Sequence, residues 1–409
     1  MNRRDFLGGA SASVLASGML PLLAQDREKN VSPDDTFSVG VIGPGSRGQE
    51  LIRQLLRIRG VRIAAVCDIY EPRFAEVDRL AGSPVPRYKD YRHMLERKDL
   101  DAIVVATPLY LHAEHVNAAL NSGRAVYGEK SMGFTPEDSL SILRTVSETG
   151  KIFQVGHQYR YAPWFQDAVQ RVRDLQIGKV TQIVAYWNRN ADWRRPVPEP
   201  KDERLINWRL YREYSGGLLT ELGSHHIDVA NWVLGEQPID VIGAGSIAVY
   251  HDGREVDDNV QVIFGYSDGR RMTFTSMTSN SLMGEQLWIY GTSGSLQLTL
   301  EDATFYYEPR PIHAVNPHSE MMQHGVTTGA SFRAQGEMPY RGPGTRLATA
   351  SGDDPTLVAC RSFVDCVRGK KQPLADVQIG YAAAIAAAYA NRSIQSGRKE
   401  IIPPAPAAG

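Results

Sequence analysis

The chain has 409 residues, 42% hydrophobic and 22% charged, with 45 basic against 46 acidic side chains and a formal net charge of −1. This is globular composition, long enough for two domains, and it excludes a collagen, a coiled coil and a disordered chain. There is no basic surplus to neutralise a phosphate backbone, so no nucleic-acid partner is expected. Three cysteines, Cys67, Cys360 and Cys366, form no C-x-x-C pair, define neither a disulfide framework nor a zinc site, and read as small core residues.

Met1 to Ala24 joins a basic start to an apolar stretch and a small residue where cleavage could occur, the pattern of an export signal. Arg3-Arg4 before Asp5, Phe6 and Leu7 resembles a twin-arginine signal. That implies the twin-arginine translocon as a partner during export, and a periplasmic destination. Leu22 stands where a small residue is expected, which keeps an uncleaved membrane anchor open. Residues 25–36 read as a linker. From Phe37, short apolar runs alternate with helical periodicity: Phe37 to Ile42, Gln49 to Ile58, Val61 to Cys67 and Pro72 to Leu80. Asp101 to Ala106, Ala113 to Ser122, Ala125 to Gly128, Pro136 to Thr149 and Ile152 to Val155 continue the rhythm. Strand alternating with helix builds a parallel sheet covered by helices, so residues 37–157 are expected to form a Rossmann domain. Later come β-rich runs, Val180 to Trp187, Val241 to Tyr250, Asn259 to Tyr266, Arg270 to Met277, Gln286 to Tyr290 and Ser295 to Leu300, many joined by turns. The fold class is therefore α/β with a second, α+β domain over residues 158–402, its sheet open and mostly antiparallel. Such a sheet suggests a homo-oligomer that pairs sheet faces. Ile312 to Asp354 is too long for an ordinary connection and reads as a functional or mobile loop. Helices within 357–395 are expected to close the second domain, and 403–409 is a low-complexity tail.

Gly43-Pro44-Gly45-Ser46-Arg47-Gly48 has the G-x-G-x-x-G spacing, which is weak alone and gains weight from its context. A strand precedes it, and Leu51, Ile52, Leu55 and Leu56 lie on one face of the helix that follows. Gly43 suits a tight turn, Gly45 allows close approach of a pyrophosphate, and Gly48 allows helix–strand packing. The helix start, with Ser46 and Arg47, would meet the phosphates with unpaired N–H groups. Asp68 closes the second strand, where a carboxylate accepts from ribose hydroxyls and repels a 2′-phosphate. NAD is favoured over NADP, although Arg73 lies close in sequence. A looser match at Gly243, Gly245 and Ala248 lacks a following helix and is not expected to bind nucleotide.

Glu129-Lys130-Ser131 ends a strand, the edge of an α/β sheet where ligands sit. In Gly216 to Trp232 a helix is expected from near Leu218, placing Glu221 and His225 four residues apart on one face. A carboxylate one turn before an imidazole can hold its tautomer and raise its basicity. A packing network of His225 with Asp228 is the alternative. No H-E-x-x-H, nucleophile elbow or metal-spaced carboxylate set stands out, so no metal is expected.

These motifs resemble the Gfo/Idh/MocA oxidoreductases, which include glucose–fructose oxidoreductase and inositol dehydrogenase. The resemblance runs from Gly43 through Ala106 to His112, the E-K-P-like Glu129-Lys130, and Gly216 to Asp228. It implies that Lys130, Glu221 and His225 line a pocket beside the nicotinamide, with Ser131 in place of the usual proline and Glu221 in place of the usual aspartate. It further implies that Thr107, Pro108, His112 and Glu129 lie near the cofactor. Tyr159, Arg160, Tyr211 and Arg212 are candidates for substrate contact, whereas His115 reads as a helix-surface residue. The implied reaction is hydride transfer between the nicotinamide and a secondary hydroxyl of a sugar or cyclitol. His225 would take the proton and Lys130 would hydrogen-bond the oxygen. An exported enzyme without an NAD(H) supply would hold its cofactor tightly. An NAD-dependent glycoside cleavage by transient oxidation, elimination, hydration and re-reduction is the alternative, though the H-G-x-G-P stretch of the N-acetylgalactosaminidase branch is absent. A non-catalytic sugar-binding protein is a third reading, opposed by Lys130 and His225. Specificity is expected from Trp187 to Trp208, including Trp193-Arg194-Arg195, and from the 312–354 loop. Those aromatic and arginine side chains suit stacking on a sugar and binding an acidic group.

Overall fold

Apolar runs buried on both sides need helices on both faces of the sheet, and the N-terminal half supplies them. The structure is a computed structural model that describes residues 36–308, 344–349 and 352–406. The expected export signal, the linker up to residue 35 and most of the 312–354 loop lie outside these residues. Six parallel strands form the first sheet, β1 (Phe37–Ile42), β2 (Val61–Cys67), β3 (Arg87–Tyr88), β4 (Ala102–Val105), β5 (Ala125–Gly128) and β6 (Phe153–Val155). Their order is β3-β2-β1-β4-β5-β6, the arrangement of a Rossmann domain. All six residues of β1 are buried. The helix after it, α1 (Ser46–Leu55), turns Gly48, Leu51, Ile52 and Leu55 inward, three residues earlier than periodicity suggested. The short strand β3 escaped the sequence reading because two residues carry no periodicity.

The second sheet has nine strands among the described residues. They include β7 (Val180–Asn188), β8 (Asp240–Ser246), β9 (Asn259–Gly265), β10 (Arg271–Met277) and β11 (Glu285–Gly291). It is antiparallel except where β10 lies parallel to β7. One face packs on helices, while the other leaves Ile242, Ile263 and Tyr290 exposed. The decoy glycines Gly243 and Gly245 lie inside β8, in a strand rather than a phosphate-binding turn.

One expectation about organisation fails. Helix Pro355–Gly369 does not close the second domain. Its Leu357, Cys360, Phe363 and Val364 complete the core of the first sheet with Val39, Leu51 and Tyr127. The rings of Phe363 and Tyr127 stand 5.8 Å apart. The later helix Val377–Ser396 packs in the core shared with the second sheet.

The glycine turn that follows β1 has no room for a side chain at Gly43 or Gly48. Gly43 has φ +83°, and a Cβ on Gly48 would lie 2.3 Å from the Gly43 carbonyl oxygen. That oxygen already accepts from the Gly45 N–H at 2.8 Å. Gly48→Ala is therefore expected to displace the turn, costing about 1–3 kcal/mol in urea unfolding and weakening NADH binding in a titration. A variant as stable as the parent would count against this packing.

Candidate active site

Two adjoining cavities run along the carboxyl edge of the parallel sheet, of about 400 and 380 Å³. They share Arg73, Thr107 and Pro108. The smaller reaches Gly43, Asp68, Tyr91 and His115. The larger reaches Gly45, Ser46, Arg47, His112, Glu129, Lys130, Glu221 and His225, with Trp187, Trp193 and Trp208 from the second domain.

The residues present fit a dinucleotide. A Cβ at Gly43 would strike Thr107, whereas one at Gly45 would meet only Arg73, at 3.8 Å, so the space above Gly45 is open for a phosphate. Helix α1 begins at Gly45 with no side-chain cap, leaving its first N–H groups available to an anion. Asp68 accepts from the Tyr70 N–H at 2.8 Å and from Arg73 Nη1 at 2.8 and 3.0 Å. Arg73 thus neutralises the carboxylate expected from the sequence to discriminate against a 2′-phosphate. Arg47 donates to Glu129 at 2.8 Å and reaches the Thr356 hydroxyl at 3.3 Å, tying α1 to the end of β5. His112 is buried with both ring nitrogens near carbonyl oxygens, Ser131 O at 2.8 Å and Thr107 O at 3.0 Å. Burial lowers its pKa, against the opposing pull of those carbonyls.

Lys130 follows β5, joined to Ser131 by a cis peptide. Its ammonium donates to the Glu221 backbone carbonyl, and burial holds its pKa below the ordinary lysine value. Residues Leu219–Gly223 form a π-helical turn leading into helix Ser224–Leu234, a wider turn that is frequent at functional sites. Its geometry overturns the expected Glu221–His225 pair. The Glu221 carboxylate instead accepts from Arg209 Nε at 2.9 Å. Burial raises its pKa, but Arg209 and Lys130 outweigh that and hold it below the usual carboxylate value. His225 stacks on Tyr159, with ring centroids 4.8 Å apart. Its buried Nδ1 has no hydrogen-bond partner among the described residues. Burial first, then Lys130, push its pKa well below the ordinary histidine value.

Other candidates are placed differently from expectation. Tyr159 supports His225 from behind, its hydroxyl donating to Glu285 at 3.0 Å. Arg160 Nε is buried against both oxygens of Asp228 at 2.9 Å, outside the larger cavity, so Asp228 is not a partner of His225. Tyr211 donates to Glu203, and Arg212 donates to the Glu255 carbonyl oxygen; neither lines that cavity. Arg194 turns to Glu203 and Asp252. His115 is not a surface residue. It is buried against Tyr91 with Nδ1 3.2 Å from the Thr107 hydroxyl, and burial lowers its pKa to about 4. Sequence reasoning missed His157, Arg209 and Glu285, and it included Arg189 only within the Trp187 to Trp208 stretch. Only the placement of Arg189 two residues after Trp187 gave a local signal, since such residues share a strand face.

A glycine turn at a helix start, a ribose-side carboxylate, and a lysine and imidazole on one contiguous cleft define a dinucleotide-dependent oxidoreductase. A family model described as an oxidoreductase family with an NAD-binding Rossmann fold matches residues 37–157, and a GFO/IDH/MocA C-terminal domain model matches residues 165–297. The chain belongs to the Gfo/Idh/MocA family of NAD-binding oxidoreductases. It is 29% identical over 276 residues to a 2,7-anhydro-N-acetylneuraminate hydratase of Mediterraneibacter gnavus, covering 65% of this chain and 68% of that protein. To an inositol 2-dehydrogenase of Rhizobium meliloti it is 24% identical, covering 64% and 75% respectively. The structure of levoglucosan dehydrogenase in complex with NADH superposes with a TM-score of 0.72 at 18% identity, covering 90% of this chain and 100% of that one. That likeness shows the shared fold.

Removing the Asp68 carboxylate would free Arg73 for an incoming phosphate. Asp68→Ala is therefore expected to weaken NADH and tighten NADPH, shifting their affinity ratio by roughly tenfold or more in parallel titrations. An unchanged ratio would count against Asp68 as the discriminating group.

Proposed function

We propose that this protein is an exported NAD-dependent enzyme that moves hydride between a tightly held cofactor and a secondary hydroxyl of a sugar or cyclitol. One observation carries the reading: Lys130 and His225 share a wall of the cavity that continues into the dinucleotide cleft. NAD bound in that cleft would supply the hydride acceptor. With its pKa depressed, His225 is uncharged at neutral pH and able to accept the hydroxyl proton. Lys130, anchored at the Glu221 carbonyl, retains N–H donors for the same oxygen or its neighbour. Trp187, Trp193 and Trp208 offer flat apolar surface to a sugar face and limit the water at the reacting carbon. The twin-arginine-like start supports export to the periplasm. The uncovered sheet face with Ile242, Ile263 and Tyr290 supports pairing with a second copy of the chain.

A second reading is redox-neutral cleavage of a glycoside through transient oxidation. It is supported by a relative named as a hydratase rather than a dehydrogenase. The two differ in cofactor balance, because cleavage leaves no net NADH.

Protein purified from the periplasmic fraction without added nucleotide, then denatured, is expected to release stoichiometric NAD(H). Absence from that fraction would remove export, and an empty protein that binds NAD weakly would indicate a dissociable cofactor. For the chemistry, Lys130→Met should lower kcat by about 10²–10⁴-fold while NADH still binds. In the parent, alcohol oxidation requires uncharged His225, whose neighbours include Lys130, His157 and His226. The rate should hold as pH falls through 6.5, the ordinary histidine value, and decline only below it. A decline centred at 6.5 or above would count against His225 as the base.

A further inference from the structure

The larger cavity is unbalanced in charge. Arg47, Arg73, Lys130, Arg189, Arg195 and Arg209 line it against Glu129 and Glu221. Three of these cations are neutralised within the protein: Arg47 by Glu129, Arg73 by Asp68, and Arg209 by Glu221. Lys130 is held at the Glu221 carbonyl. Arg195 reaches the Ser46 hydroxyl at 3.2 Å, at the start of α1, where a pyrophosphate would lie. Arg189 remains. Among the described residues its guanidinium has no ion pair or hydrogen bond, and burial alone lowers its pKa. Arg189 is half-buried, and its five N–H donors stand open to whatever enters the cavity.

Its position is specific. The Arg189 N–H donates to the Met277 carbonyl at 2.9 Å, and Asn190 bridges to Ser279, so extended pairing continues past the end of β7. Trp187 and Arg189, two residues apart, therefore share a strand face about 7 Å apart along the chain, and both line the cavity. The Trp187 ring lies 5.6 Å from His225. The wall thus presents, in order, an imidazole for the reacting hydroxyl, an indole for the ring face and an unpaired guanidinium. Arg189 lines only the larger cavity, apart from the smaller one that holds Asp68, and it is not among the groups at the helix start, where Ser46 meets Arg195.

We propose that Arg189 anchors an anionic substituent of the substrate, so that the molecule bound is an acidic sugar whose carboxylate or phosphoryl group lies across the ring from the reacting carbinol. This rests on the sugar-oxidoreductase reading above and narrows its substrate class.

The test is binding to the NADH-loaded protein, followed by tryptophan fluorescence. The paired probes are D-glucuronate with D-glucose, D-galacturonate with D-galactose, and glucose 6-phosphate with glucose. The expected result is that at least one acid binds roughly ten- to a hundredfold more tightly than its neutral counterpart, less so at high salt. Arg189→Gln should abolish that preference, Arg189→Lys should keep part of it, and both should bind NADH as the parent does. Arg195→Gln should weaken NADH instead. Preference for a uronate would identify a carboxylate, and preference for glucose 6-phosphate a phosphoryl group. The proposal is overturned if neutral sugars bind as well as acids, if no acid binds, if the preference survives in Arg189→Gln, or if that variant loses NADH affinity. Acid-selective binding without turnover of any acid would sink the hydride-transfer reading alone, whereas NADH formed only from neutral sugars would sink the anchor alone.

Discussion

The contact on which the rest of the site depends joins the Lys130 ammonium to the Glu221 backbone carbonyl. It spans the seam between the end of β5 in the parallel sheet and the π-helical turn of the second domain. A buried ammonium is expensive unless it is hydrogen-bonded, so this contact ties the two halves together and gives the ammonium one acceptor. The same turn sends the Glu221 carboxylate to Arg209, which lies over Trp208 at 4.2 Å from the ring centroid. One short segment therefore positions a lysine, an arginine and an indole on the cavity wall.

Behind that wall lies a polar layer that holds His225 still. Tyr159 stacks on the imidazole, and its hydroxyl shares the Glu285 carboxylate with His226 Nε2, each at 3.0 Å. Beside it, Arg160 grips Asp228 with almost no exposure on either side chain. Breaking such a buried pair typically costs about 3–5 kcal/mol, because the survivor is left charged and unpaired. The sequence-level reading placed Tyr159 and Arg160 among substrate contacts. Their actual work is to brace the helix that carries His225, one layer further from the cavity.

The cleft itself is organised by charge. Carboxylates of the protein pair with Arg47, Arg73 and Arg209, and two further arginines of the cavity wall have no such partner among the described residues. Arg195, at the helix start by Gly45, is one, and Arg189 is the other. Because Arg195 and Arg189 come from the second domain and the glycine turn from the first, neither domain alone presents the complete surface.

Much of this was legible in the chain, because the rules involved act over a few residues. Alternating apolar runs and helical faces determined the parallel sheet from Phe37 to Val155. The glycine spacing with Asp68 marked the nucleotide turn, and Lys130 at a strand end marked the reactive edge. Helical spacing singled out His225, and resemblance to a family put it beside Lys130 in one expected pocket. What spacing could not decide was the choice of partner. Glu221 takes Arg209 rather than His225, because a π turn and a second chain segment offer a closer cation than the imidazole one turn away. His115 is buried because Tyr91 and Thr107 close over it. Helix Pro355–Gly369 returns to a core begun some 300 residues earlier, and among the described residues the fold brings no carboxylate into an ion pair with Arg189. Local periodicity sets the elements, whereas pairing among buried charges depends on which segments the tertiary fold brings within hydrogen-bond reach.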